Sequence, residues 1–150
     1  MGDRAENLNA AILKLKTMGE VASVSAFYET EPLEVTAQPW FLNCVVKLET
    51  EQTPTQLLAS ILGIEHQLGR QRDQHKGPRN IDIDIVLFGD AVVHAPGLTI
   101  PHPAMHERRF VLEPLAEIGP DVGHPAFKKT IQQLRDDLPE GQAVRKLRKP

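Results

Sequence analysis

Period-two alternation in Asn80-Ile81-Asp82-Ile83-Asp84-Ile85-Val86-Leu87 constrains this chain more than any other feature. An extended backbone sends successive side chains to opposite faces. Ile81, Ile83, Ile85 and Leu87 therefore share one face, and Asp82 and Asp84 share the other. The pattern predicts a strand over Asn80–Phe88 with its apolar side on a core. The two carboxylates would stand roughly 6–7 Å apart at their Cα atoms, two residue rises of ~3.3 Å. Charges that close repel unless a cation or a donor lies between them. Oxygen-only donors suit Mg²⁺, which takes one or two carboxylates and keeps waters and substrate phosphates. Two such ions ~3.5–4 Å apart can clamp a phosphoryl transfer. A solvated strand face also alternates in charge, and a bare Asp-x-Asp on its own favours that plainer reading.

The flanking elements follow from periodicity. Leu8, Ala11, Ile12, Leu15 and Met18 recur at helical steps, with Gly19 as the expected stop. Val21–Tyr28 and Trp40–Glu49 alternate as strands, joined by a loop over 29–39 that holds two prolines. Thr53-Pro54-Thr55-Gln56 forms a capping box with proline in the first turn. The helix it opens runs through Leu57, Leu58, Ile61, Ile64, Glu65 and Leu68, and Gly69 is expected to end it. Gly89-Asp90 is expected to turn the chain, so that Val92-Val93-His94 returns as hairpin partner of the strand before it. Arg108–Ile118 reads as a helix interrupted by Pro114, and Thr130–Leu138 as a short amphipathic helix. The basic tail Arg145–Pro150 is expected to fray. The order matches a ferredoxin-like β-α-β-β-α-β layout without its first strand. The expected class is α+β, an antiparallel sheet with helices and C-terminal additions.

Length and charge bound the partners. The 150 residues suit one domain, 1–150. Lysine plus arginine (17) against aspartate plus glutamate (20) leaves a net charge of −3, a poor field for nucleic acid. The single cysteine, Cys44, permits neither an internal disulfide nor a cysteine zinc site, and its alternation places it in the core. Apolar runs are too short for a membrane span, and Met1-Gly2-Asp3-Arg4 does not begin a signal peptide. The expected setting is cytoplasmic and monomeric, with small molecules as partners.

Arg70, Arg72, Lys76 and Arg79 concentrate positive charge just before the two carboxylates. Arginine grips phosphate oxygens in bidentate fashion, whereas lysine acts as a point charge. His102 lies between Pro101 and Pro103, stiff and suited to donate to a phosphate oxygen. A zinc role with His106 lacks a placed third ligand. Arg108 adds charge and Phe110 an aromatic surface. Phe41 and Asn43 share a strand face, and an amide beside an aromatic can read the edge of a flat heterocycle. Phe110 and Asn43 are equally ordinary as core or strand-end residues. His66, His75, His94 and His124 form no pattern.

Gly77-Pro78-Arg79-Asn80-Ile81-Asp82-Ile83-Asp84-Ile85 resembles the signature of the hydroxymethyldihydropterin pyrophosphokinases. Phe27-Tyr28-Glu29-Thr30, Trp40-Phe41-Leu42-Asn43, Ile64-Glu65 with Gly69-Arg70, and Leu98-Thr99-Ile100-Pro101-His102 continuing to Phe110 support it. The resemblance implies Mg²⁺-dependent transfer of a pyrophosphoryl group from ATP to 6-hydroxymethyl-7,8-dihydropterin, releasing AMP, in folate biosynthesis. It implies that Asp82 and Asp84 bind two Mg²⁺ ions, and that Arg70 and Arg79 neutralise charge on the transferred group. It implies that Arg72, Thr99, His102 and Arg108 hold ATP, and that Thr30, Leu33, Phe41, Asn43 and Phe110 line the pterin pocket. Three departures stand out: Lys76 occupies a position usually aromatic, the loop between Arg70 and Gly77 is slightly short, which bears on the role of Arg72, and the family's N-terminal strand is missing. Loss of that central strand is expected to leave unpaired backbone groups and part of the pocket absent. We expect Met1 to be an internal methionine of a longer protein. The alternatives are a truncated, inactive or repurposed pterin- or nucleotide-binding relative, or another Asp-x-Asp metal-dependent transferase.

Overall fold

The computed structural model describes residues 2–31, 40–71, 81–141 and 143–147. Helix α1 (Gly2–Leu15) buries Ala11 and Leu15. It ends at Leu15, after which the Thr17 and Met18 amides fold back onto the Lys14 and Leu15 carbonyls. Gly19 is therefore not its stop. A Cβ there would lie 2.1 Å from the Glu49 carbonyl oxygen, so glycine is required by a close backbone approach.

Strand β1 (Glu20–Val24) pairs antiparallel with β4 (Val46–Glu49), with a register irregularity between Val21 and Ser23. Strand β2 (Tyr28–Thr30) runs between β3 (Phe41–Asn43) and β7 (Val144–Lys146), antiparallel to both. The sequence predicts one strand over 21–28 and one over 40–49, and each is broken in two. The breaks share a cause. The Ser25 hydroxyl accepts the Val45 N–H at 2.9 Å, and the Glu117 carboxylate accepts the Ala26 N–H at 3.1 Å. Side chains thus take amides that would otherwise donate to a ladder.

Helix α2 (Pro54–Gln71) starts as the sequence predicts. The Gln56 amide donates to the Thr53 hydroxyl at 3.2 Å, and the Thr53 amide donates to Gln56 Oε1 at 2.9 Å. It runs through Gly69, which does not end it. Strands β5 (Val93–Ala95) and β6 (Leu98–Ile100) form a hairpin around Gly97, whose φ of 73° suits glycine. Helix α3 (Arg109–Ile118) follows a 3-10 turn over Met105–Glu107, and α4 (Ile131–Asp136) has a capping box from Thr130 and Gln133.

Three expectations need correction. Residues 81–88 form no ladder among the described residues. Their alternation is real: Ile81 is buried, Ile83 half-buried, and Asp82 and Asp84 exposed. A strand also needs a neighbour in register, and periodicity does not supply one. The expected hairpin partner around Val93 pairs with β6 instead. The tail does not fray throughout, because Val144–Lys146 add to β2 as an edge strand.

The core lies in two clusters. One packs α1 and α2 around Ile81, through Ala11, Leu15, Leu57, Ile61, Ile64 and Leu68. The other packs Met105, α3 and α4 through Leu112, Leu115, Ile131 and Leu134. Val86 and Leu87 reach the second cluster, and Ile83 and Ile85 the first. The carboxylate segment therefore bridges both halves of the core. No helix among the described residues is long and apolar enough to cross a membrane.

Candidate active site

Thr30, Phe41 and Asn43 meet because β2 and β3 pair as Tyr28 to Asn43 and Thr30 to Phe41. Thr30 is 2% exposed and its hydroxyl donates to Asn43 Oδ1 at 3.3 Å; Phe41 is 55% exposed. Asn43 Nδ2 donates to the Phe110 carbonyl at 2.8 Å. That carbonyl is available for a local reason. Pro114 sits inside α3, four residues on, and has no N–H to close the helical bond back to Phe110. The helix tolerates the proline, and Asn43 takes the freed oxygen. One N–H and one lone pair of the Asn43 amide remain for a ligand.

The Arg108 guanidinium lies over the Phe110 ring, 5.5 Å from its centroid, within cation–π range. Phe110 thus joins Arg108, expected on the nucleotide, to Asn43 and Thr30, expected on the pterin. His102 connects the same region to the carboxylates. Its backbone N–H donates to the Val86 carbonyl at 2.9 Å. Its ring Nδ1 accepts the Ala104 N–H at 3.1 Å, so the neutral ring carries its proton on Nε2 as a donor. Thr99 is exposed on β6 opposite His94, and no hydrogen bond joins it to the other candidates among the described residues.

Asp82 and Asp84 are both exposed, on the side away from Ile81. Two exposed carboxylates suit a hard divalent cation that keeps its own waters and phosphate ligands, so the donor set fits Mg²⁺. No group of three or more metal-binding side chains occurs among the described residues. Leu33, Arg72 and Arg79 lie outside the described residues. Arg70 lies in the last turn of α2, its side chain outside the description.

Other groups were not foreseen from the sequence. Glu29, buried on β2, is clasped by Arg4 at 3.2 Å and by Arg145 at 2.6 Å. The hydrogen bond from Arg145, then that from Arg4, outweighs burial and holds the Glu29 carboxyl below its usual range. Arg4 also bonds the Trp40 carbonyl, and Arg145 lies 4.3 Å from the Trp40 ring centroid. This clasp anchors β2 beside Thr30. Glu65 Oε2 accepts the Ile83 N–H at 2.6 Å. Both glutamates fall inside the supporting segments quoted above, but nothing in their spacing says which backbone or arginine they meet.

An α+β arrangement in which one phenylalanine joins an arginine, an amide and a buried threonine, with two exposed carboxylates on a segment tied to His102, is what the described residues define. The chain belongs to the 7,8-dihydro-6-hydroxymethylpterin-pyrophosphokinase family, whose model matches residues 1–120. It is 47% identical over 138 residues to the 2-amino-4-hydroxy-6-hydroxymethyldihydropteridine pyrophosphokinase of Methylorubrum extorquens, covering 89% of this chain and 87% of that one. The Aquifex aeolicus protein of the same name is 37% identical over 137 residues, covering 91% and 86%. The folic acid synthesis protein fol1 of Schizosaccharomyces pombe is 44% identical over 147 residues, 97% of this chain and 20% of that protein. The chain thus spans about a fifth of the fol1 proteins of S. pombe and Dictyostelium discoideum, 20% and 23% of their lengths.

Proposed function

We propose that this chain catalyses pyrophosphoryl transfer from ATP to 6-hydroxymethyl-7,8-dihydropterin in folate synthesis. The hydroxymethyl oxygen bonds to the β-phosphorus of ATP. The bond from that phosphorus to the oxygen bridging the α-phosphate breaks, AMP leaves, and the hydroxyl proton is released. The observation that carries this reading is the junction at Phe110, where its carbonyl meets Asn43 and its ring meets Arg108. Acceptor and donor must lie side by side for an in-line transfer, and positioning is most of the catalysis.

Asp82 and Asp84 hold Mg²⁺, which when bound offsets phosphate charge. His102 Nε2–H, Arg108, Thr99 and Arg72 hold ATP. Arg70 and Arg79 offset charge on the transferred group. Thr30, Leu33, Phe41, Asn43 and Phe110 enclose the pterin, with Asn43 reading its edge. Among the described residues 81–88 form no ladder, and this favours one second reading, a relative that binds pterin or nucleotide without turnover.

AMP formation from ATP and Mg²⁺, with and without the pterin, separates the two. Pterin-dependent AMP that Asp82→Ala abolishes supports transfer. Tight pterin binding with no AMP supports the second reading and sinks the first.

A further inference from the structure

We propose that Glu65 is a positioning residue that aims the Asp82–Asp84 pair; this rests on the metal role proposed above for those carboxylates. Glu65 Oε2 accepts the N–H of Ile83, the residue between the two aspartates, at 2.6 Å. Glu65 is itself only 8% exposed, on α2 between Ile64 and Leu68, whose side chains are buried in the core that contains Ile81. The acceptor therefore sits on a rigid element, and the bond is charge-assisted.

In a paired strand, the neighbouring ladder fixes which way each residue faces, and a one-residue slip reverses every side chain. Residues 81–88 have no such ladder among the described residues. In its place stand Glu65 on the Ile83 N–H and the His102 N–H on the Val86 carbonyl. The first lies at the carboxylates. Fixing the Ile83 amide fixes the peptide plane that follows Asp82, and turns both aspartates outward while Ile81 and Ile83 turn in. Glu65 thus reaches the metal through the backbone, as an outer residue that orients ligands without touching the ion.

The test uses the full chain, with Mg²⁺ titrated calorimetrically in the presence of a non-hydrolysable ATP analogue, and amide exchange read at Ile83 by NMR. Outer residues of metal sites are worth about 10–100-fold in metal affinity, so Glu65→Ala should raise the Mg²⁺ midpoint about tenfold. Pterin affinity should hold steady, and the Ile83 amide should exchange faster. Glu65→Gln keeps a carbonyl acceptor of the same reach and should restore both readouts. If Glu65→Ala does not fold, Glu65→Asp, which retracts the carboxylate by one methylene, takes its place in the comparison. An unchanged Mg²⁺ midpoint with accelerated Ile83 exchange would overturn the role, as would equal loss of metal and pterin binding or failure of Glu65→Gln to restore. Asp82→Ala run alongside separates the failures. If it leaves the Mg²⁺ midpoint unmoved, the metal reading itself falls; if it removes Mg²⁺ dependence and Glu65→Ala does not shift it, only the Glu65 role falls.

Discussion

Asn43 shows how a single side chain acquires a fixed orientation. Its amide is committed on one side to the Phe110 carbonyl at 2.8 Å and on the other to the Thr30 hydroxyl at 3.3 Å. An amide held at both ends does not flip, so its remaining donor and acceptor face one way. Asn43→Ala should weaken pterin binding about tenfold, the loss of one hydrogen bond worth ~1.4 kcal/mol, with nucleotide binding unmoved. Calorimetric titration of each ligand checks it, and equal losses would count against the assignment. Cys44 offers a second test. Burial pushes its thiol up to about 11, so at pH 8 only about a thousandth is thiolate. Alkylation by iodoacetamide at pH 8 should therefore be far slower than for free cysteine, and fast labelling would show the thiol to be open. At this scale the sequence identifies Asp82, Asp84, Asn43 and Phe110 as residue types suited to the chemistry. It does not reveal that Asn43 takes the Phe110 carbonyl freed by Pro114, because that depends on a strand 67 positions away arriving beside it.

Elements were legible where the signal is local. The capping box of α2 and the apolar stripes of α1, α2 and α4 follow from side chains three and four apart, and the structure agrees. Strand partners are not local. The alternation is present in burial over 81–85, yet no ladder forms among the described residues, and β5 finds β6 rather than the preceding segment. The breaks at Ser25–Phe27 and at Cys44–Val45 arise from side chains that intercept amides, Ser25 nearby and Glu117 from α3. Ser25 is buried, accepting from Val45 N–H and donating to the Ala26 carbonyl at 2.8 Å. Ser25→Ala should cost about 1–3 kcal/mol, the range for a buried amide left unsatisfied, read as a lower urea midpoint. A cost near zero would mean that β1 and β2 simply fuse into one strand. Glu117 likewise holds the Tyr28 hydroxyl at 2.8 Å, and burial together with that carboxylate drives the phenol well above its usual range.

At the scale of the whole molecule, two cores share one connecting segment, and the α3–α4 half carries a titratable group at its edge. His124 is buried, its Nδ1 accepts the Ala126 and Phe127 amides at 3.1 and 3.2 Å, and its ring stacks on Phe127. Burial, then nearby His106, holds its pKa below the ordinary 6.5. Below pH 6.5 the unfolded chain takes up a proton that the folded ring resists, so stability present above 6.5 is lost as pH falls. Urea midpoints should decline from pH 7.5 to 5.5, and His124→Asn should flatten that decline. An equal slope in the variant would assign the effect elsewhere. The products of the proposed reaction distinguish it from simple phosphoryl transfer. The deciding measurement is a ³¹P NMR spectrum of the chain incubated with ATP, Mg²⁺ and 6-hydroxymethyl-7,8-dihydropterin. AMP and a pterin-linked diphosphate in equal amounts are the expected products. ADP with a pterin monophosphate, or inorganic phosphate with no pterin ester, would contradict the proposed reaction.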